Sequence, residues 1–336
     1  MTELQVLSVG ASTPLGLDAR QTAFMLRACK GEPRSSPFRG LDGNTLGTMR
    51  CHRMADTVFG YERYLELAVP ALREALDATD AEETTRPGPI VLLLSAPSAF
   101  VGEDERISSH LLMDVAKAAD VELDPRSAMV RLGHAGFAAL LGRVSMFSGD
   151  VRVVVGGVDS YHDAARLRAL DEGFRIQSNR SEYGFVPSEG AAFACVRVAA
   201  KKQAVAPLAT IKFVATAEEP EGDLVHAKAL TGLLRDPRMP SEVPWVVWDL
   251  NHDEQRYREW VFATGRNRHV KTAPTKGTVD QLHRDLGDVG AATGALYLTW
   301  VTMALRYRFA PHQGALVVTS SDGPERGIFY VEGESS

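Results

Sequence analysis

Cysteine is scarce: Cys29, Cys51 and Cys195 are the three in 336 residues and no CxxC pair occurs. Neither a disulfide framework nor a structural zinc site is signalled, and a reducing cytoplasm fits best. Cationic excess is absent as well. Lys and Arg total 37 against 43 Asp and Glu, a formal charge of -6, which leaves no electrostatic footprint for nucleic acid. The opening MTELQVLSVG lacks a basic stretch followed by an apolar one, so no signal peptide is expected. The longest uncharged run, residues 289–305, falls short of the ~20 residues that span a bilayer and contains Gly and Thr. It reads as a buried core helix, and no membrane association is expected. HExxH, Walker-type and GxSxG patterns are missing, so metalloprotease, phosphate-loop and α/β-hydrolase chemistry lack support and no cofactor or metal is implied.

What is present is a chain 45% apolar and 24% charged, enough for one large or two ordinary domains with a sizeable core. Short β-branched runs at 5–9, 89–94, 151–155, 191–198, 209–214, 243–248, 315–319 and 328–331 read as strands. Helical spacing occupies 19–29, 61–76, 107–119, 136–147, 224–234 and 291–305. Their alternation predicts α/β layering with a largely parallel sheet. Polar, proline-bearing breaks fall at 199–207, 218–223 and 235–244. Two places look alike. GHAGFAALLGRVSMF (133–147) leads into VRVVV and a double glycine, and GAATGALYLTWVTMAL (290–305) leads into ALVVT and a double serine. A small-residue helix feeding a β-branched strand twice suggests a duplicated unit whose two copies pack centrally.

Four segments in order carry a family resemblance: VGASTPLGLDARQTAFMLRACKG (9–31), VVVGGVDSY (153–161), GFVPSEGAAFACV (184–196) and GDVGAATGAL (287–296). Together they resemble the β-ketoacyl-acyl-carrier-protein synthases of the thiolase superfamily. The resemblance implies a thiolase-like duplicated αβαβα layered fold, with halves 1–204 and 205–336 forming one compact unit. It also implies a homodimer.

The family's catalytic positions, carried over one at a time, are not retained. Decarboxylative condensation needs a thiolate at a helix N-terminus, where dipole and backbone N–H groups lower its pKa. The matching segment, between Arg131 and His134, offers Gly133 or, shifted by one, His134. The first family histidine falls in DLNHDEQ, where Asp249, Asn251, His252 and Asp253 stand without the HGT-type motif. The second is replaced by Asp288 and the family lysine by His283. SSDGPERG (320–327) replaces the glycine-rich loop of the oxyanion hole.

Each candidate also has a plain structural role. His134 at a helix start can act as a general base or simply be a hydrogen-bonded interior residue. The 249–253 cluster can be functional or can cap the next helix. Asp288 and His283 can pair across a helix entry. The basic stretch RNRHVKTAPTK (266–276) can meet an acidic partner or be a solvated loop. The resulting expectation is a non-catalytic adaptor, chaperone or partner subunit acting through an unidentified protein partner. The resemblance places such proteins beside type VI secretion cargo or as chain-length partners in polyketide synthases. The competing expectation is an acyltransferase or thioesterase-type enzyme using His134, His252 and Asp288. A relict site should be filled by side chains from 249–253 or by His283. An open pocket reaching His134, above all one holding an acyl or pantetheine-like ligand, is expected to overturn the preference for binding over catalysis.

Overall fold

The computed structural model describes residues 3–80, 88–147, 151–199, 206–220, 226–240, 242–267 and 278–333. In the first half, β1 (Leu4–Ser12) and α1 (Ala19–Arg27) precede a hairpin of β2 (Arg34–Arg39) and β3 (Thr45–Thr48). Then follow α2 (Tyr61–Asp80), β4 (Val91–Ser95), α3 (Arg106–Ser109), α4 (Leu111–Ala119), β5 (Ala128–Val130), α5 (Gly136–Val144), β6 (Val153–Ser160), α6 (Ala164–Glu172) and β7 (Glu189–Val198). The second half runs through β8 (Ala209–Glu218), α7 (Lys228–Leu233), β9 (Trp245–Trp248), α8 (Glu254–Gly265), β10 (Thr278–Asp280), α9 (His283–Leu286), α10 (Thr293–Arg306), β11 (Gly314–Ser320) and β12 (Glu325–Glu332).

All eight expected strands form in a mixed α/β architecture with a large central sheet. That sheet is not largely parallel as expected: five of its nine neighbouring strand pairs are antiparallel, because consecutive strands pair directly at β6–β7 and β11–β12 and the two halves join through β7–β1–β8–β12. Missed by periodicity are the hairpin, the short strands β5 and β10, and the helices α6 and α8. The helix expected over 107–119 breaks at His110 into α3 and α4. Much of the polar breaks at 199–207 and 218–223, and residues 268–276 of the basic stretch, lie outside the described residues.

The sheet order is β10-β9-β11-β12-β8-β1-β7-β6-β4-β5. Numbering the five strands of each half by chain position, both halves read 3-2-4-5-1 from their outer edge, with the first strands meeting in the middle. The expected boundary at 204/205 lies outside the described residues. β1 and β8 pair only over Leu4–Val6, so the sheet folds over there and its halves face each other. Between them lie α5 and α10, each touching strands of both halves. On the outer faces, α2 covers the first half and α7 the second.

This layering explains the unbroken apolar strands. Val91 and Leu93 of β4 join the central core while Leu92 and Leu94 join the outer one. In β11, Ala315 and Val317 face the centre and Leu316 and Val318 face outward. A strand buried on both faces has no polar side to alternate with. Residues 289–305 read as a core helix, and α10 is one: Thr293–Ala304 are all buried. No helix among the described residues is long and apolar enough to cross a membrane.

The double glycine of β6 is required by packing. A Cβ on Gly156 would lie 2.0 Å from the Phe193 ring, and one on Gly157 2.5 Å from the Ala291 carbonyl, where the turn into α10 crosses the strand. Gly157→Ala is therefore expected to lower stability by about 1–3 kcal/mol, the usual cost of overpacking. Urea denaturation will measure it, and an unchanged midpoint would show that the turn does not rest on the strand.

Candidate functional site

The two central helices start alike. Each is preceded by a single 3-10 turn, Gly133–Ala135 before α5 and Gly290–Ala292 before α10. Leu132 and Val289 have φ/ψ of -111/13 and -106/15, and Ala135 and Ala292 of -80/-9 and -80/-11. Between them Gly133 (φ +60) and Gly290 (φ +52) adopt the left-handed conformation that side chains resist. Each start is capped from the opposite half. Ala135 N–H donates to Ser321 Oγ at 3.0 Å, and Ala291 N–H to Asp159 Oδ2 at 2.9 Å. Asp159 and Ser321 stand at the ends of β6 and β11, the fourth strands of their halves. The conserved geometry of the two turns is the duplication seen residue by residue.

A cleft of about 630 Å³ opens at this junction. Gly133, His134 and Gly290 line it, with Tyr161, Arg166 and Asp322. A Cβ on Gly133 would face the Ser98 and Ser321 hydroxyls at 3.1 and 3.5 Å. The cleft thus reaches the start of α5, where Gly133 offers no side chain. Ser321 also donates to the Leu132 carbonyl, so its hydroxyl occupies both a backbone acceptor and, at Ala135, a backbone donor of the helix start.

Behind the cleft lies a dense polar knot. His134 Nε2 meets Asp288 Oδ1 at 2.8 Å, with both side chains buried. Asp288 also accepts from Asn251 Nδ2, from Tyr161 OH at 3.2 Å and from Gly290 N–H at 2.8 Å. Arg256 of α8 completes the knot. Its NH1 binds Asp249 Oδ2 at 2.9 Å, while NH2 lies 3.1 and 3.3 Å from the two ring nitrogens of His134 and 3.1 Å from Asp322 Oδ1. Being nearly equidistant from both nitrogens, that guanidinium nitrogen lies against the ring and not in line with one lone pair. Asp322 is also held by Arg175 at 2.9 Å.

The two buried aspartates differ in their partners. Burial works to raise both. At Asp288 the charge and hydrogen bond of His134, the nearby Arg256 and the Gly290 N–H outweigh it and hold the carboxyl far below the ordinary carboxylate range. At Asp249 burial prevails over Arg256 and the Ser320 N–H and the pKa is raised, with Oδ1 left without a hydrogen bond.

The expected pairing of His283 with Asp288 does not form, because Asp288 turns its oxygens to His134 and Asn251. His283 instead stacks edge-on against His252, with ring centroids 4.8 Å apart, and neither of its ring nitrogens has a hydrogen-bond partner. Burial and the adjacent His252 push its pKa down to about 3, so it is neutral near pH 7. His252 is exposed, with φ +68, and does not line the cleft. The two readings of the 249–253 cluster divide by residue. Asp253 is the N-cap of α8, accepting from Gln255 N–H, whereas Asp249 and Asn251 belong to the knot. The expected filling of the site by 249–253 or His283 is also not found: these residues do not line the cleft, and it is open. Arg256, which sequence reasoning missed, is the side chain set against His134. Its signal was weak, since α8 buries Arg256 and Glu259 and exposes Tyr257, Val261 and Phe262, the reverse of an ordinary amphipathic helix.

Because the carboxyl of Asp288 is held below its unfolded value of about 3.9, its contribution to stability is complete above that pH and lost as pH falls below it. Asp288→Asn is expected to cost about 3–5 kcal/mol at pH 7, as removal of one partner from a buried ion pair does. The same variant should flatten the acid limb of the stability curve. Urea melts at pH 7 and pH 3 check both, and wild-type stability at pH 7 would contradict the assignment.

No family model and no curated protein matches this chain. Solved structures do. A type II polyketide synthase acyl-carrier protein in complex with its ketosynthase bound to the hexaketide (AntDE:AntF) superposes with a TM-score of 0.77 at 12% identity, over 99% of this chain and 100% of that one. The ishigamide ketosynthase/chain length factor gives 0.76 at 16% identity over 100% of both chains. The ketosynthase ApeO in complex with its chain length factor ApeC, from Xenorhabdus doucetiae, gives 0.73 at 13% over 99% and 98%. Identities this low speak for the fold alone, and on that ground the chain has, over essentially its whole length, the fold of these ketosynthases.

Proposed function

We propose that this chain is a ketosynthase-like partner subunit that works by binding protein and does not itself condense acyl groups. The observation that carries the reading is Gly133. It holds the left-handed position at the start of α5, open to the cleft, and supplies no side chain where condensation needs a thiolate. Two further features support it. Ser321 takes the Ala135 N–H that a helix start would offer to an oxyanion. Arg256 lies against the His134 ring, and Asp288 holds Nε2.

Chain length factors occur among the structural neighbours. They favour the polyketide chain-length setting over type VI secretion.

The second reading, an acyltransferase or thioesterase-type enzyme, meets the condition that was expected to overturn the binding reading: the cleft is open and reaches His134 above a His–Asp pair. It lacks its third member, because His252 stands outside the cleft. The two readings separate in one experiment. Under the partner reading, acyl and malonyl thioesters yield no acyl-protein by intact mass and no product above background, and His134→Ala changes neither. A covalent adduct, or turnover abolished by His134→Ala in a folded variant, would establish the enzyme.

The homodimer is part of the same proposal. β5 ends the sheet with β4 as its single neighbour, so a second copy pairing across this edge would continue the sheet and satisfy its open backbone groups. Light scattering at micromolar concentration is expected to give about twice the chain mass of 36.5 kDa. A monomer would remove this part of the proposal.

A further inference from the structure

At the far end of α10 from the cleft, α1 and the residues after α10 present a surface of a different character. Gly290, just before α10, lines the cleft, and the helix then runs 14 residues, about 21 Å at 1.5 Å per residue. There Phe24 of α1 packs on Tyr307 and Phe309, with ring centroids 5.2 and 5.9 Å apart, and Trp300 backs Phe309 at 5.4 Å. Phe24 and Tyr307 remain 40% and 38% exposed. The spacing of Arg20, Phe24 and Arg27 puts all three on one face of α1, and Arg27 lies over the Phe309 ring at 4.8 Å. Arg306 and Arg308 flank Tyr307, and all four arginines are exposed.

Arginines elsewhere in this chain are mostly engaged. Arg63, Arg166, Arg256 and Arg326 are in buried ion pairs, and exposed Arg106, Arg126 and Arg238 are each clasped by a neighbouring aspartate. None of Arg20, Arg27, Arg306 and Arg308 forms an ion pair among the described residues. A chain with formal charge -6 therefore gathers four uncompensated positive charges around a half-exposed aromatic cluster. Arg and aromatic side chains are the residues that dominate binding energy at protein interfaces, and a rim of one charge selects a partner of the other.

We infer that this surface docks an acidic, amphipathic segment of a partner protein, whose apolar side chain packs on Phe24 and Tyr307 while its carboxylates meet the four arginines. A second copy of this chain is a poor occupant, because four like charges would face four like charges across a two-fold axis. Nucleic acid is disfavoured by the chain's overall negative charge. The inference holds whether or not the cleft is catalytic, since the two lie at opposite ends of α10.

The test uses the full-length protein and four probes: a labelled amphipathic helical peptide with a Leu/Phe stripe and Glu flanks, its Lys-for-Glu counterpart, a 20-base-pair DNA duplex, and vesicles of 7:3 phosphatidylcholine and phosphatidylserine. The Glu peptide is expected to bind by fluorescence anisotropy, more weakly as salt is raised, and to protect α1 and residues 303–310 from hydrogen exchange. Arg27→Glu with Arg306→Glu, and separately Phe24→Ser, should each weaken it at least about tenfold, as loss of interface anchors does. Those residues are exposed or half-exposed, so thermal melts of the variants, run alongside, should stay near wild type. Failure of the Glu peptide to bind, equal binding of the Lys peptide, or binding insensitive to the substitutions would overturn the inference. So would tighter binding of DNA or vesicles, or a dimer by light scattering that the charge reversals dissolve. Acyl transfer in the thioester assay would leave the inference standing while removing the non-catalytic reading.

Discussion

The molecule turns on the reciprocal capping of its two central helices. A helix start leaves backbone N–H groups without partners, and burying one without an acceptor is costly. Here both starts lie at the centre of the fold, so each must find its acceptor in the opposite half: Ser321 from the second half for α5, Asp159 from the first for α10. Neither half can bury its own helix start without the other, which makes the duplicated architecture obligatory and not merely repeated. The same geometry creates the cleft, because Gly133 and Gly290 turn the backbone left-handed where a side chain would otherwise stand.

Around that junction the interior is unusually ionic. Register places Glu189 opposite Ser160 at the end of the β6–β7 pair and Arg326 opposite Ser320 at the end of the β11–β12 pair. Each is paired in the interior, Glu189 with Arg63 and Arg326 with Glu259. Buried pairs of this kind add little net stability but make misplacement of either partner expensive, and so specify arrangement more than they strengthen it. Arg256 belongs to the same network. It ties Asp249, His134 and Asp322 together.

α8 shows how such a network alters the surface. Its inward face gives two positions to Arg256 and Glu259 beside Ala263 and the partly buried Trp260, and Tyr257, Val261 and Phe262 are left outside. The aromatic cluster of α1 and the end of α10 is exposed for another reason: it covers the rim of the central layer, where two helices meet and no further layer follows.

Most of the strands were legible because they lie buried on both faces, and an unbroken β-branched run is the direct sequence expression of that burial; β8, which alternates buried with half-buried or exposed residues, was legible from its β-branched content. The duplication was legible because close helix approach requires small residues, and Gly/Ala-rich runs at 133–138 and 290–295 are hard to disguise. No cysteine lies in the segment that opens α5. Hidden were the features set by contacts distant in the chain. α8 carries no apolar stripe because ion pairs replace it. His134 and Asp288, 154 positions apart, meet only after the halves fold together, and Arg256 joins them across 122 positions. Periodicity reports which face of an element is buried, but says nothing of which charge will meet which across the fold. Residue types alone thus determined the layers and the repeat. The open cleft, the partners of Asp288 and the guanidinium against His134 were decided by tertiary structure, because each depends on groups from both halves arriving at one point.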